Sequence, residues 1–213
     1  MRRANAQLQS DRRAEIIAAA ERCFVRSGFH GASMQDICHE AGMSPGNLYR
    51  YFPSKESLIA GIAERDRAEV AARFARVDLG QGLFAVLEQM AQHYFAKYPM
   101  ERVLLCTEVM SEARRNPEIA RICGAFDRDV RKWLNNMLQA AAEHGDIPRQ
   151  DFDGAITMLM IITDGLWWRR VTQAEFDPAT MVPIFIDLVR QMLRGRPRPV
   201  PNSHQGAGKE CSQ

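Results

Sequence analysis

The amino-acid sequence predicts an all-α protein in which a three-helix N-terminal head is joined by a connecting helix to a larger helical domain. Along almost the whole chain, apolar residues recur with the period of an amphipathic helix. Caps and breakers such as Asn116-Pro117, Gly145 and Asp177-Pro178 divide this pattern into separate helices. No segment shows the alternation of a half-buried strand.

The composition indicates a protein that has its own core and stays in water. Hydrophobic residues make up 46% of the chain and charged residues 25%. No apolar run is long enough to cross a bilayer, and the basic N-terminus lacks the apolar centre of a signal peptide. The five cysteines are scattered without a C-x-x-C pair, which favours a reduced, cytoplasmic setting.

The net charge of +2 comes entirely from residues 1–57, because the remainder of the chain is balanced. Several arginines lie near the start, and residues 1–10 are predicted to form a flexible basic arm. An excess this small cannot establish a nucleic-acid partner, but its position agrees with the motif described next.

The head is predicted to begin with a helix from about Asp11 to Ser27, because Ile16, Ala20 and Phe24 recur at helical spacing. Two shorter helices then surround a tight turn. Ser33 is placed to cap the first of them, with an acidic residue three positions later. Gly42 suits the left-handed residue that ends it, and Ser44 and Pro45 suit the cap and first position of the second. This is the pattern of a helix-turn-helix, whose second helix enters the DNA major groove by its N-terminal end.

The second of these helices is the candidate base-reading element. Leu48 and Phe52 face inward at a spacing of four, so Gly46, Asn47 and Arg50 are presented outward. Asn47 can form two hydrogen bonds to adenine, and Arg50 can do the same to guanine. A single helical arginine is more often only a solvated charge, and it is the surrounding motif that favours the base-reading role.

A breaker at Pro53 and a cap at Ser54 predict a connecting helix from Lys55 to about Val77. The Pro- and Gly-rich stretch 196–213 is predicted to be a disordered tail. The head with its helix-turn-helix is therefore predicted to span residues 11–57. The helical ligand-binding and dimerisation domain is predicted to span residues 58–195. Further helices are predicted at about 82–98, 103–113, 117–144, 152–171 and 178–193.

These stretches resemble the TetR (tetracycline-repressor, AcrR-like) family of bacterial transcriptional regulators. The resemblance is strong over residues 11–60, which contain IIAAAERCFVRSGF and ASMQDICHEAGMSPGNLYRYFPSKESL, and LYRYF followed by SKE is its most specific part. EVMSEARRNPEIA and TDGLWWRR resemble the branch that includes betaine-pathway regulators. The resemblance implies a homodimeric repressor that leaves a palindromic operator when a small molecule fills a C-terminal apolar cavity.

The resemblance also implies which head residues contact double-stranded operator DNA, some at bases and some at phosphates. Tyr49 and Tyr51 could instead complete the small core of the head. The predicted DNA-binding residues are Ser33, Ser44, Pro45, Gly46, Asn47, Tyr49, Arg50, Tyr51 and Lys55.

Two further sites are predicted in the C-terminal domain. An effector cavity is expected among the helices at about 82–98, 102–113, 117–144 and 152–171, although a Met and aromatic stripe at helical spacing is usually core. Its predicted lining is Met90, Tyr94, Met110, Phe126, Trp133, Met137 and Trp167, with His93, Glu108, Asn136 and Asp164 as polar candidates. The predicted dimer interface is Ile156, Leu159, Met160, Thr163, Ile184, Phe185, Leu188 and Met192, which could instead serve only the intrachain core.

Other classes of function find less support in the sequence. No phosphate-binding loop, H-E-x-x-H motif or nucleophile elbow is present, so neither an enzyme, a metal site nor a cofactor is expected. Two alternatives stay open: an α-helical interaction protein and a redox-sensing regulator without a small-molecule inducer. A redox sensor would need a thiol of low pKa.

Overall fold

The structure, a computed structural model, describes residues 2–194, with side chains from residue 7 onward. Within that range the chain is helical and contains no strand, as predicted, and none of its helices is long and apolar enough to cross a membrane. The predicted tail at 196–213 lies outside the described residues. The helices are α1 (Arg2–Gly31), α2 (Met34–Glu40), α3 (Pro45–Tyr51), α4 (Lys55–Phe74), α5 (Leu83–Ala91), α6 (Met100–Ala113), α7 (Pro117–His144), α8 (Asp153–Thr172) and α9 (Met181–Arg194).

The first helix is longer than predicted at both ends. It begins at Arg2, so the prediction of an arm at 1–10 is wrong for the backbone of residues 2–10. Alanine, glutamine and leucine in this stretch favour a helix, and the Gln7 side chain donates to Asp11 one turn later (2.9 Å). The helix was predicted to end at about Ser27, and Gly28 does interrupt it there, with φ +70°, but one further turn follows.

The head is built around a core shared by α1 to α4. Phe24, Ile37, Leu48, Phe52 and Leu58 are almost completely buried there. Residues of α6 and α7 join the same cluster, so this core is continuous with the larger domain. A movement of α6 or α7 therefore acts directly on the packing of the head.

The second core lies in the larger domain. It is formed by α5, the later part of α7, α8 and α9, with Leu83, Leu138 and Val189 fully buried. After α5 the chain continues as a π-helical turn over Gln92–Lys97 before α6 begins. Such turns widen a helix locally and often occur at functional sites.

Candidate nucleic-acid interface and effector region

The turn between α2 and α3 has the predicted geometry at its first cap and its glycine. Ser33 Oγ accepts from the amide of Asp36 (3.1 Å), and Asp36 Oδ2 accepts from the amide of Ser33 (2.9 Å). Gly42 has φ +60°. Ser44 is the N-cap residue of α3 and Pro45 follows it at the start of the helix, as predicted, but the Ser44 side chain makes no cap hydrogen bond. Its exposed hydroxyl is therefore available for a contact outside the head.

The outer face of α3 is open. Leu48 is completely buried, whereas Gly46 and Arg50 are exposed and Asn47 is half-buried. A Cβ at Gly46 would meet nothing within 4 Å. Arg50 forms no ion pair within the described part of the chain. Tyr49 is 50% exposed beside them, so polar and aromatic groups are presented together on one edge.

Two of the predicted DNA contacts are engaged within the head. Tyr51 is half-buried against the first core, and its carbonyl accepts from Arg13 Nη1 (3.5 Å). Lys55 Nζ donates to the carbonyl of Phe29 (2.6 Å) and lies 4.7 Å from the centre of the Phe29 ring. A lysine so placed complements the C-terminal end of α1, and its phosphate contact stays a prediction.

Two carboxylates of α6 join the larger domain to the end of α1. Glu108 Oε2 accepts from the amide of Phe29 (3.3 Å), and Glu112 Oε2 lies 2.6 Å from His30 Nε2. Glu112 is the one buried charged residue in the described part of the chain, at 6% exposure. The sequence assigned Glu108 to the effector cavity. In the structure, Glu108 instead lies where α6 contacts the end of α1.

The residues predicted to line an effector cavity lie in different surroundings. Met110 is 49% exposed on α6, and Met137 is 6% exposed in the second core. Trp133 lies against Phe74 of α4, with ring centres 5.8 Å apart. Of the predicted lining and its polar candidates, Met90 and His93 border a cleft between α4 and α5.

Aromatic rings fasten the π-helical turn to α8. Tyr98 stacks on Trp167 with ring centres 5.3 Å apart, and Trp167 Nε1 donates to the carbonyl of Tyr94 (3.0 Å). Arg170 Nη2 donates to the carbonyl of Tyr98 (2.9 Å). The Tyr94 hydroxyl and Arg170 Nη1 are buried without a hydrogen-bond partner. Unpaired buried polar atoms are costly, so each is a candidate point for a ligand or water.

A cleft of about 350 Å³ opens between α4 and α5, apart from the predicted cavity. It combines charged residues from the end of α4 with an apolar and amide-bearing face of α5. Its lining is Glu69, Ala72, Arg73, Arg76, Val77, Asp78, Gln81, Val86, Gln89, Met90 and His93.

The described cysteines do not favour a redox switch. Burial raises the pKa of Cys23, Cys38 and Cys123 above the ordinary value of a thiol. Burial also raises the pKa of Cys106, to about 12. These thiols are therefore protonated at neutral pH, whereas redox chemistry needs the thiolate. Cys211 lies outside the described residues.

The predicted dimer interface divides into buried and exposed residues. Ile156, Leu159 and Phe185 are buried in the intrachain core and cannot meet a second chain in this conformation. Met160, Thr163 and Met192 are half-buried. The two that are open to solvent are Ile184 (58% exposed) and Leu188 (42% exposed).

The structure adds residues of α8 that the prediction omitted. Met158, Ile161 and Trp168 are 44%, 55% and 60% exposed. Their spacing places them on one stripe, opposite the face of α8 that enters the second core. Because α8 is apolar on both faces, periodicity alone did not identify which side was free. We call these three residues, with Ile184 and Leu188, the α8–α9 patch.

Comparisons with known proteins cover both domains. Residues 16–62 match the description "Bacterial regulatory proteins, tetR family", and residues 85–194 match "BetI-type transcriptional repressor, C-terminal". The chain is 29% identical to the HTH-type transcriptional regulator UidR of Escherichia coli over 196 residues, which is 86% of this chain and 91% of that protein. It is 31% identical to the transcriptional repressor AcnR of Corynebacterium efficiens over 187 residues, 85% and 92% of the two chains.

Solved structures agree with these relatives. Salmonella enterica GusR superposes with a TM-score of 0.74 at 30% identity, over 86% of this chain and 93% of that one. FadR from Bacillus subtilis, in complex with stearoyl-CoA, gives a TM-score of 0.72 over 83% and 96% of the chains. At 17% identity, the second likeness shows the fold alone.

Proposed function

Because the chain belongs to the TetR family of bacterial regulatory proteins and is a DNA-binding transcriptional regulator, we propose that it acts as a homodimeric repressor which an effector releases from a palindromic operator. The observation that carries this proposal is the open edge of α3, where Gly46 lets the helix approach DNA closely and Arg50 has no partner within the head. A free edge of this kind on a short helix fits the major groove.

In the proposed complex, Asn47 and Arg50 read base edges and their neighbours fix the register. Pro45 and Gly46 bring the start of α3 close to the bases. Tyr49 and the exposed hydroxyls at the two caps are placed to meet phosphates, which hold the helix in register but carry no sequence information. The proposed phosphate contacts are therefore Ser33, Ser44, Tyr49, Tyr51 and Lys55.

Dimerisation is proposed to occur through the α8–α9 patch. Two α3 helices must lie roughly 34 Å or somewhat more apart to reach successive major grooves. The patch consists of large apolar side chains on two adjacent helices, and a twofold axis through it would bury both copies together. Exposed apolar stripes of this kind mark protein contacts more often than solvent-facing surface.

The effector signal is proposed to reach the head through α4 and α6. α4 starts in the head, where Glu56 accepts from Asn116 of α7 (3.2 Å), and ends at the cleft beside α5. α6 holds the end of α1 through Glu108 and Glu112. An effector that favours another position of α4 would change the spacing of the two heads and shift the population off the operator.

The proposal is tested by selecting DNA that the purified full chain binds from a random-sequence library. We expect a palindromic consensus, binding by two chains, and an affinity that falls steeply with salt as counterions are released. A scrambled fragment of the same composition is the control. Binding that is equal for both fragments, or one chain per site, would contradict the proposal.

A further inference from the structure

The cleft between α4 and α5 is lined by two arginines and two carboxylates, and the two carboxylates are engaged by other groups. The Glu69 carboxylate is already paired with Arg102, which donates two hydrogen bonds to it (2.7 and 3.2 Å). That contact lowers the pKa of the Glu69 carboxyl. Asp78 turns its Oδ1 to the amide of Gly80 (2.9 Å). Both carboxylates of the lining therefore already have partners.

The cations of the cleft have no such partners. Arg73 lies in the last turn of α4 and Arg76 just beyond its end, and neither lies within 4 Å of a carboxylate in the described part of the chain. His93 faces them from the π-helical turn. Burial lowers the pKa of His93, and Arg73 and Lys97 lower it further. The two arginines therefore lack a paired carboxylate, whereas His93 is biased towards its neutral form.

A buried donor lies directly behind these cations. The Tyr94 ring packs against His93, with ring centres 4.9 Å apart, and Arg73 lies 5.7 Å from the centre of the Tyr94 ring. The Tyr94 hydroxyl is buried and has no hydrogen-bond partner. Burial raises the pKa of this hydroxyl and nearby Arg73 lowers it, so the hydroxyl lies beside the arginine without itself lining the cleft.

The remaining lining is apolar, and the volume suits a small molecule. Val77, Val86 and Met90 form one side of a cleft of about 350 Å³. We propose that the cleft binds a small effector whose carboxylate lies between Arg73 and Arg76 and whose short apolar body rests on those three side chains. Arginine is the side chain best suited to a carboxylate, because its planar fork donates two parallel hydrogen bonds.

This inference rests on the proposed function and names the class of its effector. Arg73 and Arg76 lie at one end of α4 and Lys55, which is fastened to α1, lies at the other. A carboxylate that draws the end of α4 towards α5 therefore acts on the helix that enters the head.

The first experiment compares carboxylates with their amides on the purified full chain. The probes are hexanoate, benzoate and phenylacetate, each paired with the corresponding amide at constant ionic strength. Calorimetry and thermal unfolding should show that at least one carboxylate binds once per chain and about tenfold or more tighter than its amide, the range of a charge-assisted pair. If no carboxylate in the panel binds more tightly than its amide, the inference is overturned.

The second experiment locates the site. Arg73→Gln and Arg76→Gln should each reduce the preference for the carboxylate, and the double variant should abolish it. Both arginines are exposed, so the fold should survive, which circular dichroism checks. Arg121→Gln is the matched control, since Arg121 is an exposed arginine on α7. If the double variant keeps the preference, or if Arg170→Gln removes it instead, the cleft is the wrong site.

The third measurement separates this inference from the proposed function. The carboxylate that binds should weaken the affinity of the chain for its selected operator, and should fail to do so in the double variant. If the chain binds its operator but the carboxylate has no effect on that binding, the inference about the effector is wrong and the proposal of a repressor is retained. If the chain binds the carboxylate but selects no operator, the proposal of a repressor is wrong and the carboxylate site in the cleft is retained.

Discussion

The two exposed functional surfaces of this molecule are opposite in character. The edge of α3 in the head is short and polar, with an open glycine, whereas the α8–α9 patch in the larger domain is a broad apolar stripe. Water solvates the first at little cost and the second poorly. The polar edge can therefore remain exposed to solvent until DNA binds. The apolar stripe is more stable when another protein surface covers it. If the α8–α9 patch is the dimer interface, as proposed, we expect dimers to form before DNA is bound.

The largest effect is expected from a charge in the α8–α9 patch. Ile161→Glu should leave the chain monomeric, because an ionised carboxylate resists burial between two apolar faces. Loss of the second head should weaken operator binding by roughly 10²- to 10⁴-fold, the range of bivalent avidity. Sedimentation velocity and fluorescence anisotropy on the selected operator measure the two quantities.

Met110→Glu is the control for that change, since Met110 is an equally apolar and exposed side chain on α6. It should leave both the mass and the affinity unchanged. A dimeric Ile161→Glu variant would show that the patch is not the interface.

The second effect probes how tightly the head is packed. A Cβ at Gly61 of α4 would lie 2.9 Å from Phe52 and 3.2 Å from Ile17. Gly61→Ala should therefore lower the free energy of unfolding by about 1–3 kcal/mol through overpacking. Gly154→Ala in α8, where nothing lies within 4 Å, should raise it by about 0.5–1 kcal/mol. Urea denaturation followed by circular dichroism measures both, and equal signs would mean that the head tolerates the added methyl group.

The head was more predictable than the larger domain for a physical reason. Its site is formed by consecutive residues, so the cap at Ser33, the turn at Gly42 and the inward Leu48 fix which side of α3 is outside. The exception is Lys55, whose partner Phe29 is distant in sequence. No local pattern could have shown that contact.

In the larger domain the helices were predictable but their neighbours were not. Ile156 and Ile161 are equally apolar and lie on the same helix, yet one is buried in the second core and the other is exposed. Likewise, the sequence around Glu112 gave no sign that this residue pairs with His30. The cleft was missed because Arg73 and Arg76 look like solvated charges in the sequence.

A third prediction separates structure from recognition within the head. Lys55→Met should lower the stability of the free protein by about 1–2 kcal/mol, since it removes a charged hydrogen bond to the end of α1. Arg50→Ala should leave stability unchanged, because Arg50 has no partner in the head. Thermal unfolding without DNA measures this difference. If Lys55→Met keeps full stability and only lowers the salt dependence of operator binding, Lys55 is a phosphate contact alone.

The smallest effect compares the two cap positions of the helix-turn-helix. Ser33→Ala should cost about 1 kcal/mol, because it breaks a reciprocal capping box. Ser44→Ala breaks no cap hydrogen bond and should cost only about 0.3 kcal/mol or less. Denaturation midpoints of the two variants give the ranking. A larger loss at Ser44 would mean that its hydroxyl caps α3 in solution.

The central claim, that the free edge of α3 reads bases, is tested most directly by Arg50→Ala on a complete set of single-base variants of the selected operator. The wild-type chain should show a strong preference at one symmetric pair of positions. Arg50→Ala should lose about 1–3 kcal/mol of discrimination there and keep its preferences elsewhere. An unchanged preference at every position would contradict the account.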